Sequence, residues 1–460
     1  MINDTIAAIA TALGEGGIGI VRVSGPKAIE MVDKVFASPK GVTLASLAGY
    51  RMVYGNIINS QQQKVIDEVL VSVMRKPHSF TAEDVVEINC HGGMVPLKAC
   101  LEVVLHEGAR LAEPGEFSKR AFLNGRVDLA QAESIIDIIR SKTEAGLRVA
   151  VNQLQGRISA QVKLIRDKIL ELLAFIEAGI DFPEDDIEEL SRSQIVQRSE
   201  EVKGLLAALL ATAEGGKIFR DGISVVIIGK PNVGKSSLLN ALLREKRAIV
   251  TDIPGTTRDV IEEYLNIKGI PVKIVDTAGI RETEDIVERL GVEKSKELFQ
   301  QADLVLLVLD AATEITDEDR RIIQLIGNQH VLVVVNKTDI QPHFNAGQLP
   351  EIIKDKPLLL MSVMEGEGIS RLEENIYQLV TQGMVTSSDT LMVSNLRHKD
   401  ALVRAMKALD GVRAGLSAGM ATDFLAIDLK GCWEALGEIT GDTVGEDLLD
   451  QIFSRFCIGK

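Results

Sequence analysis

Eight residues carry the first chemical signal in this chain. Gly229-x-x-x-x-Gly234-Lys235-Ser236 follows an apolar run and opens a helical pattern. Glycines in such a loop let successive backbone N–H groups turn onto phosphate oxygens, while Lys235 adds a point charge and Ser236 offers a hydroxyl to magnesium. The base is read further on. "VLVVVNKTDI" ends a second apolar run with Asn336, Lys337 and Asp339. A carboxylate at Asp339 accepts two hydrogen bonds from the amino and imino groups of guanine, which adenine does not present. Between them lies Asp276-Thr277-Ala278-Gly279, behind the run "VKIV". There Asp276 reaches the magnesium through water and the Gly279 amide meets the terminal phosphate. Ser362, in "SVMEGEG", stands at the place of a second base contact, with Val363 where a small alanine is common. Together these segments select a guanine nucleotide.

Hydrolysis needs more than binding. Small GTPases place a glutamine directly after the aspartate–glycine motif to orient the attacking water. This chain has Ile280 there, which neither donates nor accepts a hydrogen bond. A water-positioning group and a positive charge for the transition state must come from elsewhere. Glu282, Glu284, Asp285 and Glu288 are the acidic candidates and Arg258 and Arg281 the basic ones; spacing alone selects none of them.

The elements that must hold these residues fall into four zones. Residues 1–118 mix strand patterns (Ile18 to Val23, Val69 to Met74, Val85 to Asn89) with glycine turns, an α+β signature. Residues 119–214 read as helix. Leu147, Val151, Leu154, Ile158, Val162, Ile165, Ile169, Leu172 and Ile176 recur at steps of three and four, which predicts one long helix with a single apolar stripe. "DFPEDDIEEL" interrupts it, and "SRSQ" at Ser191 offers a capping box for the next helix. Residues 215–383 alternate strand and helix signals, and residues 384–460 are helical again with a break at "EITGDTVGED". An α/β unit inserted into a helical domain, whose two halves pack together, is the economical architecture. A nucleotide switch placed there can act on both flanks.

Composition bounds the partners. A length of 460 residues fits about three domains. The formal net charge of −15 argues against general coating of nucleic acid, so any polyanion must find a local basic patch. The four cysteines, Cys90, Cys100, Cys432 and Cys457, show neither CxxC pairing nor zinc spacing, which predicts a reduced, cytoplasmic chain. The start, "MINDTIAAIATALGEGG", lacks a basic n-region, and no apolar run approaches the ~18 residues that span a bilayer, so a soluble protein is expected.

"GKPNVGKSSLLNALL", "TDIPGTTRDV", "DTAGIRETEDIVERLG", "PGEFSKRAFLNGRVDLAQAE" and the closing "FCIGK" closely resemble the MnmE (TrmE) family of tRNA-modification GTPases, from residue 1 to 460. The resemblance implies an N-terminal tetrahydrofolate-binding and dimerisation domain (1–118), a discontinuous helical domain (119–214 and 384–460, with the CIGK tail) and an inserted Ras-like P-loop G domain (215–383). It implies GTP contacts from Asn232, Val233, Gly234, Lys235, Ser236 and Ser237, from Thr251, Asp252, Ile253, Pro254, Gly255, Thr256 and Thr257, from Asp276, Thr277, Ala278 and Gly279, and from Asn336, Lys337, Asp339 and Ser362. Potassium would be held by Asn232, Thr251, Ile253 and Thr256, and magnesium by Ser236 and Thr257. Physically, an asparagine carbonyl with loop carbonyls suits a large monovalent cation doing the work of an arginine finger; the other reading of Asn232 is a helix cap. Glu288 matches the family's water-positioning glutamate, so that Glu288, Lys235 and Cys457 are the implied catalytic residues.

Arg22, Glu87, Arg126 and Lys460 fall where the family contacts 5-formyltetrahydrofolate, although lysine is commoner at the Arg126 position, and Arg22 with Glu87 also reads as an ordinary cross-strand ion pair. Cys457 is either an incidental exposed cysteine or a nucleophile toward a uracil ring. The implied activity is potassium-stimulated GTP hydrolysis coupled to an aminomethyl-type modification, the carboxymethylaminomethyl group among them, at carbon 5 of the wobble uridine of certain tRNAs. Homodimerisation and a flavoprotein partner, MnmG (GidA), in a heterotetramer are implied too, with no membrane. Two alternatives stay open: a ribosome-assembly GTPase of the Era or Der type, for which no GxxG clamp is found in a suitable context, and a nucleotide-controlled scaffold. Trp433, the single tryptophan, sits in a helical pattern and reads as a core residue.

Overall fold

The protein is described by a computed structural model, which covers residues 4–59, 61–181, 192–246, 264–275, 302–327, 329–341, 343–381, 384 and 391–460. The first unit is a seven-stranded sheet of β1 (Ile6–Ile9), β2 (Gly16–Ser24), β3 (Phe36–Ala37), β4 (Arg51–Asn59), β5 (Lys64–Met74), β6 (Val85–Gly92) and β7 (Arg110–Leu111), in the order β3-β4-β5-β6-β2-β1-β7. Every neighbour pair is antiparallel except β1–β7. Along β5 and β6 the residues Val69, Val71, Val73, Val86, Ile88 and Cys90 alternate into a core shared with the helices Ala28–Val35 and Met94–His106. One face is therefore covered by helices, as the period-two pattern requires.

A second sheet is built from β8 (Ile223–Ile228), β9 (Tyr264–Ile267), β10 (Ile270–Ile274), β11 (Leu304–Asp310), β12 (Val331–Asn336) and β13 (Leu358–Leu360), in the order β13-β12-β11-β8-β10-β9. All pairs are parallel except the β9–β10 hairpin. Val225 and Ile227 of β8 enter one core, Val226 and Ile228 the other, and β11 and β12 divide in the same way. Both faces are buried, so these strands read as unbroken apolar runs instead of alternating ones. The hairpin turns on Lys268 and Gly269, both at positive φ (51° and 92°), the geometry of a tight two-residue hairpin loop.

Helices before and after this sheet share a single core. Ile158 to Ile176 of Arg157–Asp181, Ile195 to Leu209 of Arg192–Ala211, Ala401 to Leu416 of Leu396–Ser417 and Leu425 to Ile439 of Thr422–Thr440 form one apolar cluster. The predicted single long helix is corrected here. Glu144–Leu154 and Arg157–Asp181 are separate helices, broken at Gly156, whose φ of +78° is the left-handed conformation that ends a helix. As a result Leu147 is exposed, while the stripe from Ile158 to Ile176 is buried. Ser191, the expected cap, lies outside the described residues. The break at "EITGDTVGED" falls at Gly441, left-handed after Thr422–Thr440. Trp433 packs at the edge of the helical core, with the Arg166 guanidinium 4.0 Å over its ring. Among the described residues no helix is long and apolar enough to cross a membrane.

Two fastenings tie the second sheet to the helices. The Thr143 hydroxyl donates to the Gly269 carbonyl at the hairpin tip (2.7 Å), and Ala145, Val149 and Phe219 join the core of the sheet.

Candidate functional site

The glycine-rich loop leaves the end of β8 and runs into the helix Lys235–Lys246. Gly229 (φ +151°) and Gly234 (φ +101°) take conformations closed to other residues. Added carbons there would collide with the Val308 carbonyl and the Asn336 amide respectively. Asn232 is also left-handed (φ +65°), and Gly234, not Asn232, directly precedes the helix, so Asn232 is not its cap. Val233 is buried and anchors the loop in the core, and the Lys235 ammonium lies against the loop's own carbonyls of Gly229 (2.5 Å) and Lys230 (2.9 Å). Ser236 and Ser237 occupy the next positions of the first helical turn. The loop thus combines a helix N-terminus, a strand end at the sheet's carboxyl edge and a half-buried lysine, an arrangement suited to polyphosphate.

The second cluster stands beside it, at the ends of β12 and β13. Asn336 is buried, 3% exposed, and bridges two loops: its Nδ2 donates to the Val233 carbonyl (2.9 Å) and its Oδ1 accepts from the Val363 amide (3.1 Å). Lys337 takes a left-handed φ of +69° and pairs with Asp310 at 2.6 Å. Asp339 accepts a hydrogen bond from the Ser362 hydroxyl, 2.5 Å, so the two expected base-contact residues are adjacent. The structure therefore brings the phosphate loop, Asn336, Lys337, Asp339 and Ser362 into one connected site. Thr251, Asp252, Ile253, Pro254, Gly255, Thr256, Thr257, Asp276, Thr277, Ala278, Gly279 and Glu288 lie outside the described residues, as do Arg258, Ile280, Arg281, Glu282, Glu284 and Asp285.

A separate group forms where the tail docks on the first sheet. Phe456 packs with Ala121 and Leu129 in one core, and the Gly115 amide donates to the Cys457 carbonyl (3.3 Å). Gly459 (φ +88°) passes so close to Ile9 that a side chain would strike the Ile9 carbonyl. This docking sets Lys460 beside Arg22. Arg22 faces Glu87 directly across β2 and β6, with Nε 2.8 Å from Oε1, and its Nη1 donates to the Gly459 carbonyl (2.9 Å). The cross-strand ion pair and the gathering of site residues are thus one and the same contact. Arg22, Arg126 and Lys460 all stand over the ring of Phe80, at 5.3, 5.6 and 5.8 Å from its centroid. Burial, and after it the Arg22 charge, lowers the Lys460 ammonium below the usual lysine range. Three cations against one carboxylate leave this cradle positive, so it fits an acidic, ring-bearing ligand. Cys457 is exposed at its rim.

Phe80 and Asn336's second role were not legible from spacing. Phe80 sits in a loop with no periodic pattern, and its partners lie up to hundreds of residues away. Behind the cradle, Arg120 is 1% exposed and binds Asp4 (2.6 Å), Glu116 (2.9 Å) and Glu83 (3.2 Å), fastening the helix Glu116–Leu123 to the first sheet. The only hint of it is the density of charge in "PGEFSKR".

Comparison with known proteins bears on the whole chain. The family model described as "MnmE helical domain" matches residues 129–457, and that described as "GTP-binding protein TrmE N-terminus" matches residues 5–126. The chain is 56% identical over 460 residues to the protein named tRNA modification GTPase MnmE from Alkaliphilus oremlandii, covering 100% of both chains. It is 52% identical over 458 residues to that of Bacillus subtilis, covering 99% of this chain and 100% of the other. Among solved structures, Aquifex aeolicus Era bound to GDP and AlF4− is similar at 33% identity, covering 40% of this chain and 66% of that one with a TM-score of 0.27.

Proposed function

The chain belongs to the MnmE family of tRNA modification GTPases, and from that premise we propose that it couples GTP hydrolysis at the loop Gly229–Ser236 to modification of carbon 5 of the wobble uridine of certain tRNAs. It is a GTP hydrolase. Full-length identity to relatives named for tRNA modification favours this reading over a ribosome-assembly GTPase. The observation that carries the nucleotide part is the Asn336 bridge, which holds the phosphate loop and the loop of Ser362 in one register.

Within the site, Asn232, Val233, Gly234, Lys235, Ser236 and Ser237 cradle the phosphates, and Asp339 with Ser362 reads guanine. Ser236, together with Thr257, would hold magnesium; its place in the first helical turn beside the half-buried Lys235 fits that role. The left-handed Asn232 presents a side-chain carbonyl from the loop and would hold potassium with Thr251, Ile253 and Thr256. These ions supply positive charge against the phosphates. Glu288 would position the attacking water, because Ile280 leaves that task unfilled.

The Phe80 cradle is proposed as the folate site, with Arg22, Glu87, Arg126 and Lys460 as its polar contacts and 5-formyltetrahydrofolate or a related folate as ligand. When bound, the folate supplies a one-carbon unit. Excess positive charge around an aromatic ring supports this reading, and the exposed Cys457 thiol would be the nucleophile toward a uracil ring. The chain would work in the cytoplasm as a homodimer through residues 1–118, with the flavoprotein MnmG as partner.

A hydrolysis-dead variant tests the enzyme reading against a scaffold. Glu288→Ala, checked for normal partner binding, should leave wobble uridines unmodified; full modification would favour the scaffold.

A further inference from the structure

Away from both sites, the fold assembles one more cluster of chemistry-bearing side chains. Asp67 on β5, Cys90 on β6 and Cys100 on the helix Met94–His106 bring a carboxylate oxygen and two sulfurs to within 4.8 Å of one another. Both cysteines are buried. Their spacing in the chain has no metal signature, and they meet only because the helix packs across β6.

The donor set is selective. Two sulfurs with one carboxylate form a soft-to-borderline group that suits Zn2+ and disfavours Mg2+ and Ca2+, which take oxygen ligands. The carboxylate is also held in place: its Oδ2 accepts the His91 amide (2.8 Å), and its Oδ1 accepts the Glu68 amide (2.9 Å) and shares a hydrogen bond with His91 Nδ1 (2.7 Å). Outer contacts of this kind orient metal ligands. From Zn–S and Zn–O bonds of about 2.3 and 2.1 Å, a tetrahedral site has S···S and S···O edges of about 3.8 and 3.6 Å, so closing by at most about 1 Å completes it. The Asp67 side chain is 11% exposed, which leaves a solvent side for a fourth ligand.

We propose that Asp67, Cys90 and Cys100 form a Zn2+ site that clips the helix Met94–His106 to β5 and β6. Binding forms two Zn–S bonds and releases two thiol protons to solvent, with no change of oxidation state. The full-length chain carrying Cys457→Ser, reduced and dialysed against a chelator, is titrated with Co2+ and then Zn2+. Expected is one Co2+ per chain with a thiolate-to-cobalt charge-transfer band, which oxygen ligands of the nucleotide site do not produce, and its displacement by Zn2+. Cys90→Ser and Cys100→Ser should each lose at least half of the band. Asp67→Asn, which leaves both cysteines in place, should weaken binding about tenfold or more and reduce the rise in melting temperature at a given Zn2+ concentration. No charge-transfer band up to millimolar Co2+, or a band unchanged in Cys100→Ser, would overturn the proposal.

Discussion

Asn336→Ala is the perturbation whose cost can be worked most directly from the structure. The side chain is 3% exposed and makes two hydrogen bonds, to the Val233 carbonyl at 2.9 Å and from the Val363 amide at 3.1 Å. Alanine removes both and strands a backbone acceptor and a backbone donor in a dry junction. At about 1–2 kcal/mol for each group left unsatisfied, the cost is about 2–4 kcal/mol. The free loop can relax and hydrate both groups, whereas a bound nucleotide holds the loop in place. The penalty therefore falls on the bound form and sets an upper limit on the loss of affinity. With 1.4 kcal/mol per tenfold, GDP and GTP should bind about 30- to 800-fold more weakly. Displacement of a fluorescent GDP analogue measures this, with the melting temperature of the nucleotide-free chain recorded alongside. Affinity within threefold of the unaltered chain would refute the reasoning, because the bridge would then be incidental to the site.

Other expectations rest on separate contacts. Asp339→Asn should shift preference from GTP toward xanthosine triphosphate, since an acceptor pair becomes one donor and one acceptor; unchanged GTP affinity would remove Asp339 from base recognition. Glu288→Ala should slow turnover while leaving GTP affinity near normal, the signature of a group needed only in the transition state, and single-turnover kinetics with binding measurements separates the two. Potassium should accelerate hydrolysis well above sodium, and Asn232→Ala should lose that difference; equal rates in the two salts would defeat the ion's role. Burial would raise the Glu133 carboxyl, but His398 (2.8 Å) and Arg397 (2.7 Å) outweigh it and hold it down at about 2. A depressed carboxylate stabilises the fold above its unfolded value of 4.5 and loses that stabilisation as pH falls toward 2, about 3 kcal/mol in all. The melting-temperature gap between the unaltered chain and Glu133→Gln should therefore be wide at pH 7 and shrink below pH about 4.5; a constant gap would contradict it.

What the sequence made legible is mainly what acts over short range. The phosphate loop was readable because strand, glycines, lysine and helix are contiguous, and each demands its own backbone conformation, as the φ values of Gly229 and Gly234 bear out. The strands of the α/β unit were readable because β8, β11 and β12 are buried on both faces and run as unbroken apolar stretches. Contacts set by tertiary packing were not. Asn336 meets Val233 across 103 residues, and its role as a bridge depends on β8 and β12 flanking β11. Phe80 becomes a platform only once the tail docks, and Cys90 meets Cys100 only across a strand and a helix. The helix break at Gly156 was hidden because the apolar steps on either side happen to stay in phase, while the glycine that ends the first helix carries no side chain to disturb the pattern.

The central claim, GTP hydrolysis in the service of wobble-uridine modification, is tested most directly by a mass profile of tRNA nucleosides. Cells lacking this chain should lose the aminomethyl-type modifications at carbon 5 of the wobble uridine. The unaltered chain should restore them and Glu288→Ala should not. A nucleoside profile unchanged by loss of the chain would contradict the account, whatever its rate of GTP hydrolysis.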